Sequence, residues 1–119
     1  MRTIAIGDIH GCALALESVL NAIQPGVDDR LIFLGDYVDR GPDSKGVIDT
    51  VLDLSELYRV ISLKGNHEWL LEEYLAKPGN PVASSNFILN GGSATLASYS
   101  TDGATYSIPA SHQIGRAHV

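Results

Sequence analysis

Short β-branched, apolar runs alternate with segments of helical period over the first two-thirds of the chain. Thr3–Ile6 reads as a strand, and Ala13–Ile23 carries Leu16, Val19, Leu20 and Ile23 at helical spacing until Pro25-Gly26 stops it. Residues 30–34 predict a second strand. Asp43-Ser44 can cap a helix whose apolar face runs through Val47, Ile48, Val51, Leu52 and Leu54, and residues 58–63 predict a third strand. A helix follows from about His67, with Trp69, Leu70, Leu71 and Tyr74 as its packed face. Beyond Lys77 the pattern breaks at Pro78-Gly79-Asn80-Pro81, and short helices are expected near residues 82–89 and 94–99. Little order is expected after Asp102-Gly103. Residues 1–110 are therefore read as domain and 111–119 as a tail with neither period nor cap, frayed or unrelated to the rest.

Strand and helix in strict alternation predict an α/β fold with a largely parallel sheet and helices on its faces. Ligands of such sheets collect at the carboxyl ends of the strands. Three polar blocks fall there: Gly-Asp-Ile-His-Gly from Gly7, Gly-Asp-Tyr-Val-Asp-Arg-Gly from Gly35, and Gly-Asn-His-Glu from Gly65.

Composition narrows the chemistry. The 119 residues, 45% hydrophobic and 18% charged, suit one domain with a real core. No apolar run approaches a bilayer span and no signal-peptide core precedes the first strand, so a soluble, cytoplasmic protein without membrane partners is expected. Nucleic acid is an improbable partner for a chain of net charge −6 whose eight Lys and Arg are scattered. The single cysteine, Cys12, is expected to face the core as a small hydrophobe, so any metal must be held by Asp, Asn and His.

The blocks have that composition. Asp8 and His10, two residues apart after a strand, project to one side and can grip one ion. Asp36 is the natural bridge, because one carboxylate can hold two cations at the roughly 3.5–4 Å spacing that lets both act on one phosphate. Asn66 would supply a neutral oxygen to the second ion. Mixed oxygen and imidazole donors suit Mn²⁺, Fe or Zn²⁺. A water bridging two such ions would become a hydroxide near neutral pH, and His67, oriented by Asp39, could protonate the leaving oxygen. Arg40 suits a bidentate grip on phosphate. Singly, each feature has a plain alternative: Asp8 or Asp36 as a helix cap, Asn66 and Glu68 as a helix start, Asp39 and Arg40 as a surface ion pair. Their repetition at three successive strand ends favours the site.

In this order and spacing, the three blocks resemble the signature of the metallophosphoesterase superfamily, in its serine/threonine phosphoprotein phosphatase branch. The resemblance covers residues 3–74, and Asn90-Gly91-Gly92 with Thr95-Leu96 is a softer likeness to bacterial members. It implies a calcineurin-like α/β/β/α sandwich with two divalent metal ions. Asp8, His10, Asp36 and Asn66 match metal-ligand positions, His67 and Asp39 the acid pair, and Arg40 a phosphate contact. Such proteins draw further histidines and a second arginine from a later half, and His112, Arg116 and His118 do not stand in that context. The chain is accordingly expected to be the amino-terminal part of such a domain, carrying its first βαβαβ portion.

The leading expectation is therefore a metal-dependent phosphatase acting on phosphorylated protein or a small phosphate ester. The complete Asp39-Arg40-Gly41 and Glu68 favour it over the alternative, a dinucleoside polyphosphate (diadenosine tetraphosphate) hydrolase, which the chain resembles through much of the same signature. A non-catalytic metal-binding fragment is the third reading.

Overall fold

The computed structural model describes residues 1–103 and 105–113. Three strands, β1 (Thr3–Ile6), β2 (Arg30–Phe33) and β3 (Arg59–Ser62), form one parallel sheet in the order β1-β2-β3, with Ile6 opposite Phe33 and Phe33 opposite Ser62. Helix α1 (Ala13–Ile23) connects the first pair and α2 (Ser44–Leu57) the second. Then come α3 (Asn66–Ala76), α4 (Pro81–Leu89), α5 (Gly92–Ser98) and a single 3₁₀ turn, Ala110–His112. The α/β class and the parallel sheet are as the alternation predicts.

Local chemistry sets the helix ends. Asp43 accepts the Gly46 N–H at 2.8 Å and starts α2. Asn80 accepts the N–H groups of Val82 and Ala83 at 3.0 Å, with Pro81 in the first turn, and starts α4. Gln24 ends α1 in the left-handed conformation, its N–H on the Leu20 carbonyl.

The core lies between the sheet and α2. Leu31, Phe33, Val38, Val47 and Val51 are fully buried there, with Tyr37 beneath the end of β2. Burying side chains of this size stabilises the fold by about 1.5–3 kcal/mol each, and they set the position of the strand ends. Helices α3, α4 and α5 pack in succession, and α5 returns to α2.

Three expectations about packing need correction. Trp69 does not join the packed face of α3: it is half exposed, while Leu71 is buried and Leu70 and Tyr74 are partly so. The helical turn angle carries position 69 away from the side that buries His67, Glu68 and Leu71. Cys12 is exposed, because it stands in the loop before α1 and not on its inner face. Val19 is 44% exposed, since Leu16 alone is buried along α1.

The segment read as a tail is not featureless at its start. His112 is buried, its Nε2 2.9 Å from Asp49 of α2 and its Nδ1 3.0 Å from the Tyr99 hydroxyl. Arg116 and His118 lie outside the described residues.

Candidate metal centre

The three polar blocks lie at the carboxyl ends of β1, β2 and β3, which are neighbours in the sheet, and the backbone welds them together. The N–H groups of Ile9 and His10 both donate to the Asp36 carbonyl, at 3.1 and 2.9 Å, and Gly11 N–H donates to the Tyr37 carbonyl at 2.8 Å. Gly41 N–H returns to the His10 carbonyl at 2.9 Å. The second and third blocks are joined by side chains. The Tyr37 hydroxyl donates to the Leu63 carbonyl at 2.7 Å, and Asp36 Oδ1 accepts the His67 N–H at 3.0 Å.

Glu68 completes this joint. Its buried carboxylate accepts N–H groups from Gly65 and Tyr37 at 2.9 Å each, and from Asp36 and Val38 as well. Burial pushes the Glu68 carboxyl upward, and the N–H groups of Asp36, Gly65 and Tyr37 pull it back towards the ionised form. The sequence marks Glu68 as part of a helix start and of the Gly-Asn-His-Glu block; that it also reaches 31 residues back to Tyr37 has no local signal.

Ligand atoms of Asp8, His10 and Asp36 lie within 4.8 Å of one another. The His10 Nδ1 is 2.9 Å from the Val38 carbonyl, which can only accept, so Nδ1 carries the proton and Nε2 presents a lone pair. That lone pair faces Asp8 Oδ2 at 3.7 Å. The end of the Asn66 carboxamide lies 3.1 and 3.3 Å from the two oxygens of Asp36. With its nitrogen turned inward it donates to them; with its oxygen inward, three oxygens converge without a proton. Electron pairs facing one another in this way are what a divalent cation reconciles, so the donor set fits one. A ligating imidazole held through its other nitrogen by a carbonyl is also the usual support for a metal site.

Beside this cluster stands the pair His67 and Asp39. Both are buried, with Nδ1 2.8 Å from Oδ2. The His67 ring meets the His10 ring edge-on, centroids 4.5 Å apart. Arg40 is exposed, and its guanidinium has no partner among the described residues. Every predicted site residue thus lies on the loops after β1 and β2 or in the first turn of α3, after β3. His112 is held by α2 and Tyr99, apart from them.

The backbone of this region is unusual. Among the described residues, five non-glycine residues have positive φ, and four of them are His10, Asp36, Asp39 and Arg40. Such conformations persist only where surroundings over-determine them, and they gather at functional sites. The close approaches that impose them need glycine: a Cβ on Gly35, at φ +101°, would lie 2.7 Å from the Gly65 Cα.

The profile of calcineurin-like phosphoesterases matches residues 1–112, and the chain belongs to that family. Among characterised proteins it is 36% identical over 84 residues to the symmetrical bis(5'-nucleosyl)-tetraphosphatases of Burkholderia pseudomallei (strain 668) and Burkholderia mallei (strain SAVP1). Those matches cover 66% of this chain and 29% of each relative, so the chain spans less than a third of their length. A crystal structure described as "a putative diadenosine tetraphosphatase" is 38% identical, with a TM-score of 0.54 over 70% of this chain and 36% of the other. The superfamily expected from the three blocks is therefore correct. These relatives bear the names of tetraphosphatases, and none bears that of a phosphoprotein phosphatase.

Proposed function

We propose that this chain belongs to a metal-dependent hydrolase of dinucleoside polyphosphates, cleaving a phosphoric anhydride symmetrically. The observation that carries the chemistry is the convergence of Asp8, His10 and Asp36 beside the buried His67–Asp39 pair. The substrate class rests on the relatives, which reverses the order of the two enzymatic readings drawn from sequence. Asp39 and Glu68, which favoured the phosphoprotein reading, have roles in holding the loops that either substrate would use.

In this reading Asp8, His10, Asp36 and Asn66 would hold the divalent ions. Ions held there would supply charge neutralisation on the phosphate oxygens and activation of water. Mn²⁺, Fe and Zn²⁺ all accept such donors. Arg40, unpaired and at the rim, would bind a phosphate through two N–H groups. His67, with Nδ1 committed to Asp39, would present Nε2 to the leaving oxygen, donate its proton and become neutral while Asp39 remains ionised. Cleaving the central anhydride of diadenosine tetraphosphate this way yields two molecules of ADP.

The test is to supply the chain with Mn²⁺ and either diadenosine tetraphosphate or a phosphoserine peptide, following ADP and inorganic phosphate separately. Metal-dependent ADP release exceeding phosphate release from the peptide is expected. Preferential peptide dephosphorylation would restore the phosphoprotein reading. Metal binding without turnover of either would leave the non-catalytic reading.

A further inference from the structure

The likeness in Asn90-Gly91-Gly92 and Thr95 is not used by the metal cluster, yet these residues lie against the loop that carries Asp39 and Arg40. The two are consecutive left-handed residues, at φ +76° and +74°, a conformation that costs an L-residue free energy and rarely occurs twice in succession. Their N–H groups are satisfied from one place. Arg40 N–H donates to the Gly91 carbonyl at 3.0 Å, and Asp39 N–H to the Thr95 hydroxyl at 2.7 Å, shared with Ser44 Oγ at 3.2 Å. Gly91, itself at φ +95°, has no room for a Cβ, which would fall 2.7 Å from the Arg40 Cγ. The start of α5 is therefore shaped to this loop.

Proton counting gives the contact a direction. The Thr95 hydroxyl lies 2.6 Å from Asp39 Oδ1, an oxygen that only accepts, so its one proton is committed there. Thr95 Oγ1 then accepts from Asp39 N–H and from the Ser44 hydroxyl 3.2 Å away. Asp39 Oδ2 takes the Nδ1–H of His67. Ser44, Thr95 and Asp39 are all fully buried, leaving no room for water to substitute.

We propose that Thr95 is a positioning residue for His67: acting through Asp39, its hydroxyl fixes which carboxylate oxygen faces the imidazole and keeps the proton on Nδ1. A carboxylate tethered at Oδ1 and at its own N–H cannot rotate, so Oδ2 presents one lone-pair direction to the ring. The Ser98 hydroxyl extends the anchorage, donating to the Thr95 carbonyl at 2.7 Å and accepting the Lys45 N–H of α2 at 3.2 Å. The inference rests on the proposed role of His67 as proton donor, but its first measurement does not need turnover.

That measurement is the low-field imidazole N–H proton resonance of His67 in the full chain, identified by its absence from His67→Gln. Thr95→Val, equal in shape and lacking the hydroxyl, should lose this resonance to exchange, and Thr95→Ser should keep it. Unchanged position and exchange in Thr95→Val, or loss in both variants, would overturn the proposal. If Thr95→Val does not fold, Ser44→Ala serves: a shifted resonance supports the relay, an unshifted one opposes it. The second measurement compares p-nitrophenyl phosphate, whose leaving group needs little protonation, with an alkyl phosphate, whose leaving group needs it fully. Thr95→Val should slow the alkyl ester about tenfold more than the aryl ester, whereas a merely structural loss would slow both equally and count against the proposal. If the resonances behave as expected and neither these esters nor diadenosine tetraphosphate is hydrolysed, Thr95 positions His67 and the hydrolase reading is what fails.

Discussion

Glu68 and Tyr37, 31 residues apart, share a 2.9 Å hydrogen bond from the Tyr37 N–H to the Glu68 carboxylate, and the same carboxylate holds Gly65 and Asp36. Two of the three polar blocks are therefore locked by one side chain that touches no candidate ion ligand except through its backbone. Glu68→Gln exchanges one acceptor oxygen for an NH₂ group that must face N–H groups. Removing one partner from a buried charged cluster costs about 3 kcal/mol. A fall in urea-unfolding free energy of that order is expected, together with weaker Mn²⁺ binding by calorimetry. Unaltered stability would show that the clamp is dispensable.

Asp36→Asn should act on metal and leave the fold. The asparagine oxygen can still accept the His67 N–H that Asp36 takes at 3.0 Å, so the start of α3 is preserved. One negative charge is lost from the proposed ligand set, and Mn²⁺ affinity should fall by about tenfold or more. Equal affinity in titration calorimetry would remove Asp36 from the ligand set.

Gly35→Ala tests the joint between the second and third loops without touching a polar side chain. The left-handed φ and the approach of Gly65 oppose any Cβ. A loss of about 2 kcal/mol is expected, read as a lower denaturant midpoint. A neutral effect would mean that the loops have slack.

Far from the site, Asp29 ties β2 to the start of β1. The Gly26 N–H first, then the Arg2 side chain and N–H, hold its carboxyl well below the usual carboxylate range. A depressed folded-state value stabilises the fold above the unfolded value of about 3.9, and this contribution is lost as pH falls from there towards the folded value. Stability should therefore drop below about pH 4, and Asp29→Asn should flatten that part of the profile. Because Arg2 is half exposed, added salt should shrink the difference. Identical acid limbs in the two proteins would exclude Asp29 as a contributor.

The elements were legible because each rests on a local signal. Leu16 and Leu20 share a helix face, Asp43 caps the helix it precedes, and Pro81 opens the one it begins. The strands came within a residue at each end: 30–34 was expected and Arg30–Phe33 is found. Placement of Asp8, His10, Asp36 and Asn66 together was legible for the same reason, since all follow parallel strands. What holds them was not. The reach of Glu68 to Tyr37 and of Thr95 to Asp39 depends on pairs 31 and 56 residues apart, which no period records. Trp69 misled because a cluster of large apolar residues was read without assigning each to a helix side. The docking of His112 on Asp49 depends on a long return of the chain, and no period marks it.

The parallel order β1-β2-β3 divides the molecule chemically. One end is tied by the Arg2–Asp29 pair; the other brings acidic and imidazole ligand atoms within 4.8 Å of one another, an arrangement a cation would stabilise. A ligand that binds only the folded chain adds RT ln(1 + [L]/Kd) to its stability. With ions bound as proposed, the loops at that end would be the part of the fold whose persistence depends on the free divalent ion concentration.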